Sequence, residues 1–217
     1  FKGGLGFGGP CFPRDNLAFQ RCAEDAGTCA HLSPRVVEVN GEVVDRLFAM
    51  VGRHVPPGST VALLGLSYKP GTHIVEESQS VTLAERLLDA GYTVRMHDPK
   101  ALASASAALQ GRGVYCDCPY DAACGASVVV LLTPWLEYTH LDINRLEQSA
   151  GLSPLLIDCW RLYRNMPFRK FAYQAFGTPS QLSERIAYDP RASVFQQDSR
   201  RRAPVLERPA VQHPALT

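Results

Sequence analysis

No apolar run in these 217 residues approaches the ~20 needed to cross a bilayer, and no stretch has the order of a secretory leader. Charge is also scarce. The net value is +1, so neither a nucleic acid nor a membrane surface is implied as a partner. Cysteine is present without a pattern: seven is an odd number for a disulfide framework, and Cys116-x-Cys118 has no second pair to complete a zinc site. Reduced thiols in a cytoplasmic protein fit that scatter. The six histidines never stand in H-x-x-x-H spacing, so no metal site is expected. A dinucleotide fingerprint is missing too. Gly4-Leu5-Gly6-Phe7-Gly8-Gly9 spells G-x-G-x-x-G, but that motif needs a strand before it and an acidic residue about 20 positions on, ending a second strand. Too few residues precede Gly4 for a strand, and Glu24 and Asp25 fall in a helical pattern. Gly65-Leu66-Ser67 has one glycine where the fingerprint needs three.

What is present suffices for one or two domains with a sizeable core, since 46% of the residues are hydrophobic. A helix is expected over 16–26, stopped by Gly27. A longer helix is expected over 33–54, with Ser33-Pro34 as cap and first turn. Its apolar stripe runs through Val36, Val37, Val43, Val44, Leu47, Phe48 and Val51, interrupted by the polar Asn40. So wide a face suits either an ordinary core helix or burial against a second copy. After the hinge Pro56-Pro57-Gly58-Ser59 the pattern alternates. Strands are expected over 60–65, 93–97, 114–116, 127–132 and finally 155–158. Helices are expected over 80–90, 102–109, 119–124 and 141–149. This order implies a doubly wound parallel sheet, whose ligands bind beyond the carboxyl ends of the strands. Lys69, Asp98, Thr133 and Arg161 all follow such ends. From 177 onward the arginine run at 200–202 and the scattered prolines read as a disordered tail.

The chemistry concentrates in Gly6-Phe7-Gly8-Gly9-Pro10-Cys11-Phe12-Pro13-Arg14-Asp15. Glycine and proline make a loop whose backbone can pass close to a ligand. A helix starting near Pro13 would put Asp15 in its first turn and Cys11 just before its positive end, which favours the reactive thiolate.

This decapeptide resembles the GFGGxCxxKD signature of the UDP-glucose/GDP-mannose dehydrogenases. Gly65-Leu66-Ser67-Tyr68-Lys69-Pro70-Gly71-Thr72, followed by Glu77-Ser78-Gln79-Ser80, is similar to that family's GLAYKPxTDDxRESPS. Asp98-Pro99 looks like its YDP, and Asp158-Cys159-Trp160-Arg161 like its D-x-x-R turn. The matches come in the family's order and cover about 1–176. Phe1 would already fall inside the family's active-site region, so the chain is expected to be the catalytic-loop and C-terminal portion of a longer protein, inactive alone.

The resemblance implies a catalytic loop and helical dimerisation segment over 1–55. A Rossmann-like nucleotide-sugar domain would then occupy 56–176. It implies NAD-dependent oxidation of UDP-glucose to UDP-glucuronate in a homodimer or larger homo-oligomer. Cys11 matches the nucleophile that carries the thiohemiacetal and thioester, and Asp15 the carboxylate that handles water or a proton. Lys2, Gly6, Phe7, Gly8, Tyr68, Lys69 and Arg161 match substrate contacts, Arg161 reaching a neighbouring subunit's substrate. Cys11, Arg14 and position 76 match the NAD side. Arg14 replaces the usual Lys. Glu76 reverses the charge of an Arg that meets NAD, and His73 and Ile74 replace an acidic pair. Two other readings stay open. One is a degenerate paralogue that binds nucleotide sugar or dimerises without turnover, which Glu76 favours and the intact Cys11 and Asp15 oppose. The other is an unrelated thiol enzyme, which lacks a His within GFGGPC to activate Cys11.

Overall fold

The computed structural model describes residues 4–178. Lys2 and nearly all of the tail expected over 177–217 lie outside the described residues. Helix α1 is Phe12–Asp25, starting earlier than the expected 16. Pro13 costs nothing in a first turn, where its missing N–H has no partner to lose, and Asp15 complements the positive end. Helix α2 is Leu32–His54. Ser33 is not its cap as expected; His31 holds that place. The Ser33 hydroxyl is buried and donates to Asn16 instead, to the carbonyl (3.0 Å) and to Oδ1 (2.8 Å), tying α2 to α1.

The stripe on α2 divides. Val44, Leu47, Met50 and Val51 are buried. Toward the N-terminus Leu32, Val36 and Val39 are exposed, as are Phe12, Leu17 and Phe19 on α1.

The sheet comprises β1 (Thr60–Leu64), β2 (Thr93–His97), β3 (Val114–Tyr115), β4 (Val128–Leu131), β5 (Leu155–Asp158) and β6 (Ala172–Ala175). The order is β3-β2-β1-β4-β5-β6 and every pairing is parallel. The doubly wound parallel sheet is as expected, with one strand more. Strand β6 continues past the expected last strand at 155–158. Ala172-Tyr173-Gln174-Ala175 has no β-branched residue and is only half covered at the sheet edge, so it carries no apolar signal. The buried Glu147 seats it by accepting the N–H groups of Arg169 (2.8 Å), Lys170 (2.8 Å) and Phe171 (3.1 Å).

The helices are α3 (Gln79–Asp89), α4 (Leu102–Ala108), α5 (Pro119–Ala122) and α6 (Ile143–Ser149), with a 3-10 turn at Leu136–His140. The helix expected over 141–149 starts later than that, because the Asp142 side chain accepts from Arg145 N–H and sets the cap. Side chains alternate across the sheet. Val61 and Leu63 join α2 and α3 in one core, while Ala62 and Leu64 join Tyr138, Leu146 and Tyr163 in a second. Both faces are covered, which explains the unbroken apolar run of β4. From β1 the chain winds one way to β2, and from β4 the other way to β5. A crevice is thereby left beyond the ends of β1 and β4.

Candidate active site

The floor of that crevice is the segment after β1. Asp98, next after β2 and 2% exposed, holds it from below. Its Oδ2 accepts Leu66 N–H (2.7 Å), Ser67 N–H (3.0 Å), Ser67 Oγ (3.2 Å) and Trp135 Nε1 (3.1 Å). Its Oδ1 accepts Lys100 N–H (2.9 Å) and Ala101 N–H (2.8 Å). Thr133 Oγ1 donates to the Ser67 carbonyl (2.8 Å), and Ser78 Oγ to that of Leu66 (2.6 Å). His97 Nδ1 lies 2.9 Å from the Tyr138 hydroxyl beneath this segment. Burial lowers the His97 pKa, with the charge of Asp98 opposing, and burial pushes the Tyr138 hydroxyl well up. Neither His97 nor Tyr138 is among the residues that line the crevice beside the glycine loop.

The glycine loop lies against the crevice, where Gly6 and Gly8 form the wall with Tyr68, Ser80 and Trp160. Gly9 donates its N–H to the Glu76 carbonyl (3.0 Å) at φ 82°, and a Cβ there would stand 2.5 Å from the Tyr68 ring. Glycine is needed at this position both for its backbone angle and for its lack of a side chain. The Phe7 and Phe12 rings are 5.8 Å apart and link the loop to α1. Cys11 is the exposed N-cap of α1, and its carbonyl takes the N–H of Asp15 (2.8 Å), one turn on. Asp15 pairs with Arg14 (3.1 Å) on the open surface. Lys69 is exposed, its Nζ 5.3 Å from the centre of the Tyr68 ring. The structure thus gathers Gly6, Gly8 and Tyr68 in one wall, Cys11, Arg14 and Asp15 at the helix start, and Lys69 beside Tyr68. The exposed Glu76 meets the loop through its carbonyl. Arg161, at φ 58°, donates to the Phe176 carbonyl (3.0 Å) beside β6, and only its neighbour Trp160 lines the crevice.

Residues 62–165 match the UDP binding domain of the UDP-glucose/GDP-mannose dehydrogenase family. The UDP-glucose 6-dehydrogenase of Rhizobium meliloti is 35% identical over 182 residues, which is 81% of this chain and 41% of that protein. That of Pseudomonas aeruginosa is 38% identical over 187 residues, with the same two shares. The solved UDP-glucose dehydrogenase of Pyrobaculum islandicum superposes with a TM-score of 0.68 at 32% identity, covering 79% of this chain and 38% of that one. The chain belongs to the UDP-glucose/GDP-mannose dehydrogenase family. It spans about two fifths of the length of the curated relatives named here.

Within the family pattern, Asn40 and Gln79 stand out as functional candidates that motif reading did not single out. Both bond the glycine loop. The signals were there: Asn40 breaks an apolar stripe, and Gln79 occupies the proline position of RESPS. Trp160, inside the D-x-x-R turn, donates its Nε1–H to the Leu132 carbonyl (2.8 Å) and lines the crevice.

The described residues do not fit a dinucleotide in this crevice. Its first turn has the single glycine Gly65, and Asp98, at the strand end where a ribose would be held, is occupied by protein donors.

Proposed function

We propose that the chain is the catalytic-loop and nucleotide-sugar portion of a UDP-glucose 6-dehydrogenase, divided into a helical segment over 1–55 and a nucleotide-sugar domain over 56–176. One observation carries this reading. The loop that presents Cys11 is bonded to the wall of the crevice of a UDP-binding domain, through Gly9 to Glu76 and Gly6 to Gln79.

The chemistry follows from a thiol beside a bound sugar. The C6 alcohol loses a hydride and a proton to become an aldehyde. The Cys11 sulfur adds to the aldehyde carbon, giving a thiohemiacetal on this chain. Loss of the second hydride and of the hydroxyl proton leaves a thioester, and water cleaves it to the carboxylate, a proton and the free thiol. Asp15, one helical turn away, handles the proton of that water. The resemblance implies NAD, which when bound would supply the hydride acceptor. Arg14 and Cys11 are its candidate contacts on the loop.

The diphosphate has two sources of positive potential: the ammonium of Lys69 and the N-terminal turn of α3, whose Ser78, Gln79 and Ser80 line the crevice. The scattered thiols suit a cytoplasmic setting, and no helix among the described residues is long and apolar enough to cross a membrane. The exposed apolar side chains of α1 and α2 suit a homodimer, in which Arg161 would serve the substrate of the neighbouring copy. Light scattering on the chain is expected to give a dimer, and Val36→Glu with Val39→Glu a monomer.

The deciding test is calorimetric titration with UDP-glucose. Lys69→Ala is expected to weaken binding about three- to tenfold, more so at low salt, and Arg161→Ala to weaken it in the dimer. Unchanged affinity in both variants defeats the assignment of the substrate site. The exposed Glu76 beside Gly9 favours a second reading, a paralogue that binds without turnover. Normal binding by a full protein that forms no UDP-glucuronate, with activity gained in Glu76→Arg, would establish it.

A further inference from the structure

The glycine loop needs a tether. Gly6, Gly8 and Gly9 lose more freedom on ordering than any other residues would, so contacts outside the loop must define its path. Two side-chain amides supply them. Phe7 N–H donates to Asn40 Oδ1 (2.8 Å), and Asn40 Nδ2 donates back to the Phe7 carbonyl (2.9 Å). Asn40 thus reads the Phe7 backbone as a neighbouring strand would. Gly6 N–H donates to Gln79 Oε1 (2.9 Å). The two amides are themselves joined, since Gln79 Nε2 donates to the Asn40 carbonyl (3.0 Å) and to Asn40 Oδ1 (3.1 Å).

Only one orientation of each amide satisfies this set. Turning Asn40 over would set its NH2 against the Phe7 N–H, and turning Gln79 over would set its NH2 against the Gly6 N–H. The approach is also close, for a Cβ on residue 6 would lie 1.9 Å from Asn40 Oδ1. Asn40 is on α2 and Gln79 opens α3, so three separate pieces of chain meet here. Gln79 is 9% exposed and lies in the crevice wall itself.

We propose that Asn40 and Gln79 form an amide clamp that positions the glycine loop for nucleotide-sugar binding. They are positioning residues, acting through the backbone of Gly6 and Phe7. The proposal rests on the reading of the crevice as the UDP-glucose site, and its test separates the two.

Hydrogen exchange is measured on the full chain at Gly6 and Phe7, beside calorimetric titration with UDP-glucose. Asn40→Ala and Gln79→Ala are expected to speed exchange at those two amides by about tenfold or more, while β1 and β4 stay protected, and to weaken UDP-glucose about tenfold. Gln79→Glu gives a sharper readout. Its carboxylate keeps the acceptor for Gly6 but turns an oxygen toward the two oxygens of Asn40. Only the protonated form can donate there, so affinity is expected to recover as pH falls from about 8 to about 5. Recovery beyond any pH change of the wild type supports the clamp.

Unchanged exchange at Gly6 and Phe7 in both alanine variants overturns the clamp. Faster exchange with unchanged UDP-glucose affinity overturns the positioning role. A wild-type chain that fails to bind UDP-glucose overturns the function proposed above, and the exchange comparison still decides whether the two amides hold the loop.

Discussion

Cys11→Ala is expected to abolish UDP-glucuronate formation by the full protein, by about a thousandfold or more, while leaving the fold and UDP-glucose affinity intact. The separation follows from where the thiol sits. Cys11 is exposed at the N-cap of α1, and its side chain makes no capping bond there. The cap is a backbone affair, with Asp15 N–H on the Cys11 carbonyl, and alanine keeps it. Removal of Sγ therefore costs stability no more than about 0.5 kcal/mol, the usual range for a surface change. Chemically the loss is total, since neither thiohemiacetal nor thioester can form without the sulfur. Product analysis by mass spectrometry, with denaturant unfolding as control, checks both halves. Wild-type rates of UDP-glucuronate formation in this variant would show that Cys11 is not the nucleophile. Asp15→Asn should leave the thioester formed but slowly hydrolysed, the one-turn spacing being kept.

The central strands β1, β4 and β5 could be read from sequence because they are buried on both faces. Val128–Leu131 has no polar position to blur it, and Gly91 stops the helix before β2. The edge strand Ala172–Ala175 escaped because half-covered alanine, tyrosine and glutamine look the same in a loop. The Ser33 assignment failed for a different reason. Ser before Pro is a good local cap, but Asn16 on the neighbouring helix was a better partner for the hydroxyl than its own backbone.

The site shows the same division. The loop around Cys11 is contiguous, so its glycines, thiol and carboxylate could be taken together. Asn40 was visible only as a flaw in an apolar stripe. Its partners, Phe7 and Gln79, lie far along the chain in opposite directions, and no periodicity joins them. Arg161 shows the converse. A motif match assigns it a ligand, whereas within this chain its guanidinium bonds the Phe176 carbonyl.

Asp98→Ala is expected to destabilise the chain by about 3–5 kcal/mol, the cost of stripping a buried carboxylate from its partners. The sequence marked Asp98 only as part of an Asp-Pro pair after a strand. In the structure its two oxygens accept from Leu66, Ser67, Trp135, Lys100 and Ala101, and the carboxylate is buried, so little solvent can replace the loss. Alanine leaves buried N–H groups without acceptors on three stretches of chain at once. Asparagine is no rescue. Whichever way its amide turns, the NH2 meets N–H donors, so Asp98→Asn is expected to lose most of the same stability. The damage is aimed at the site, because Leu66 and Ser67 lead directly into Tyr68, and the Ser67 carbonyl also accepts from Thr133 Oγ1. Molecules that remain folded should therefore bind UDP-glucose at least tenfold more weakly. Denaturant unfolding followed by circular dichroism measures the first effect and calorimetry the second. An Asp98→Asn variant within about 0.5 kcal/mol of the wild type would mean that these N–H groups find other acceptors, and that the floor of the crevice does not depend on this carboxylate.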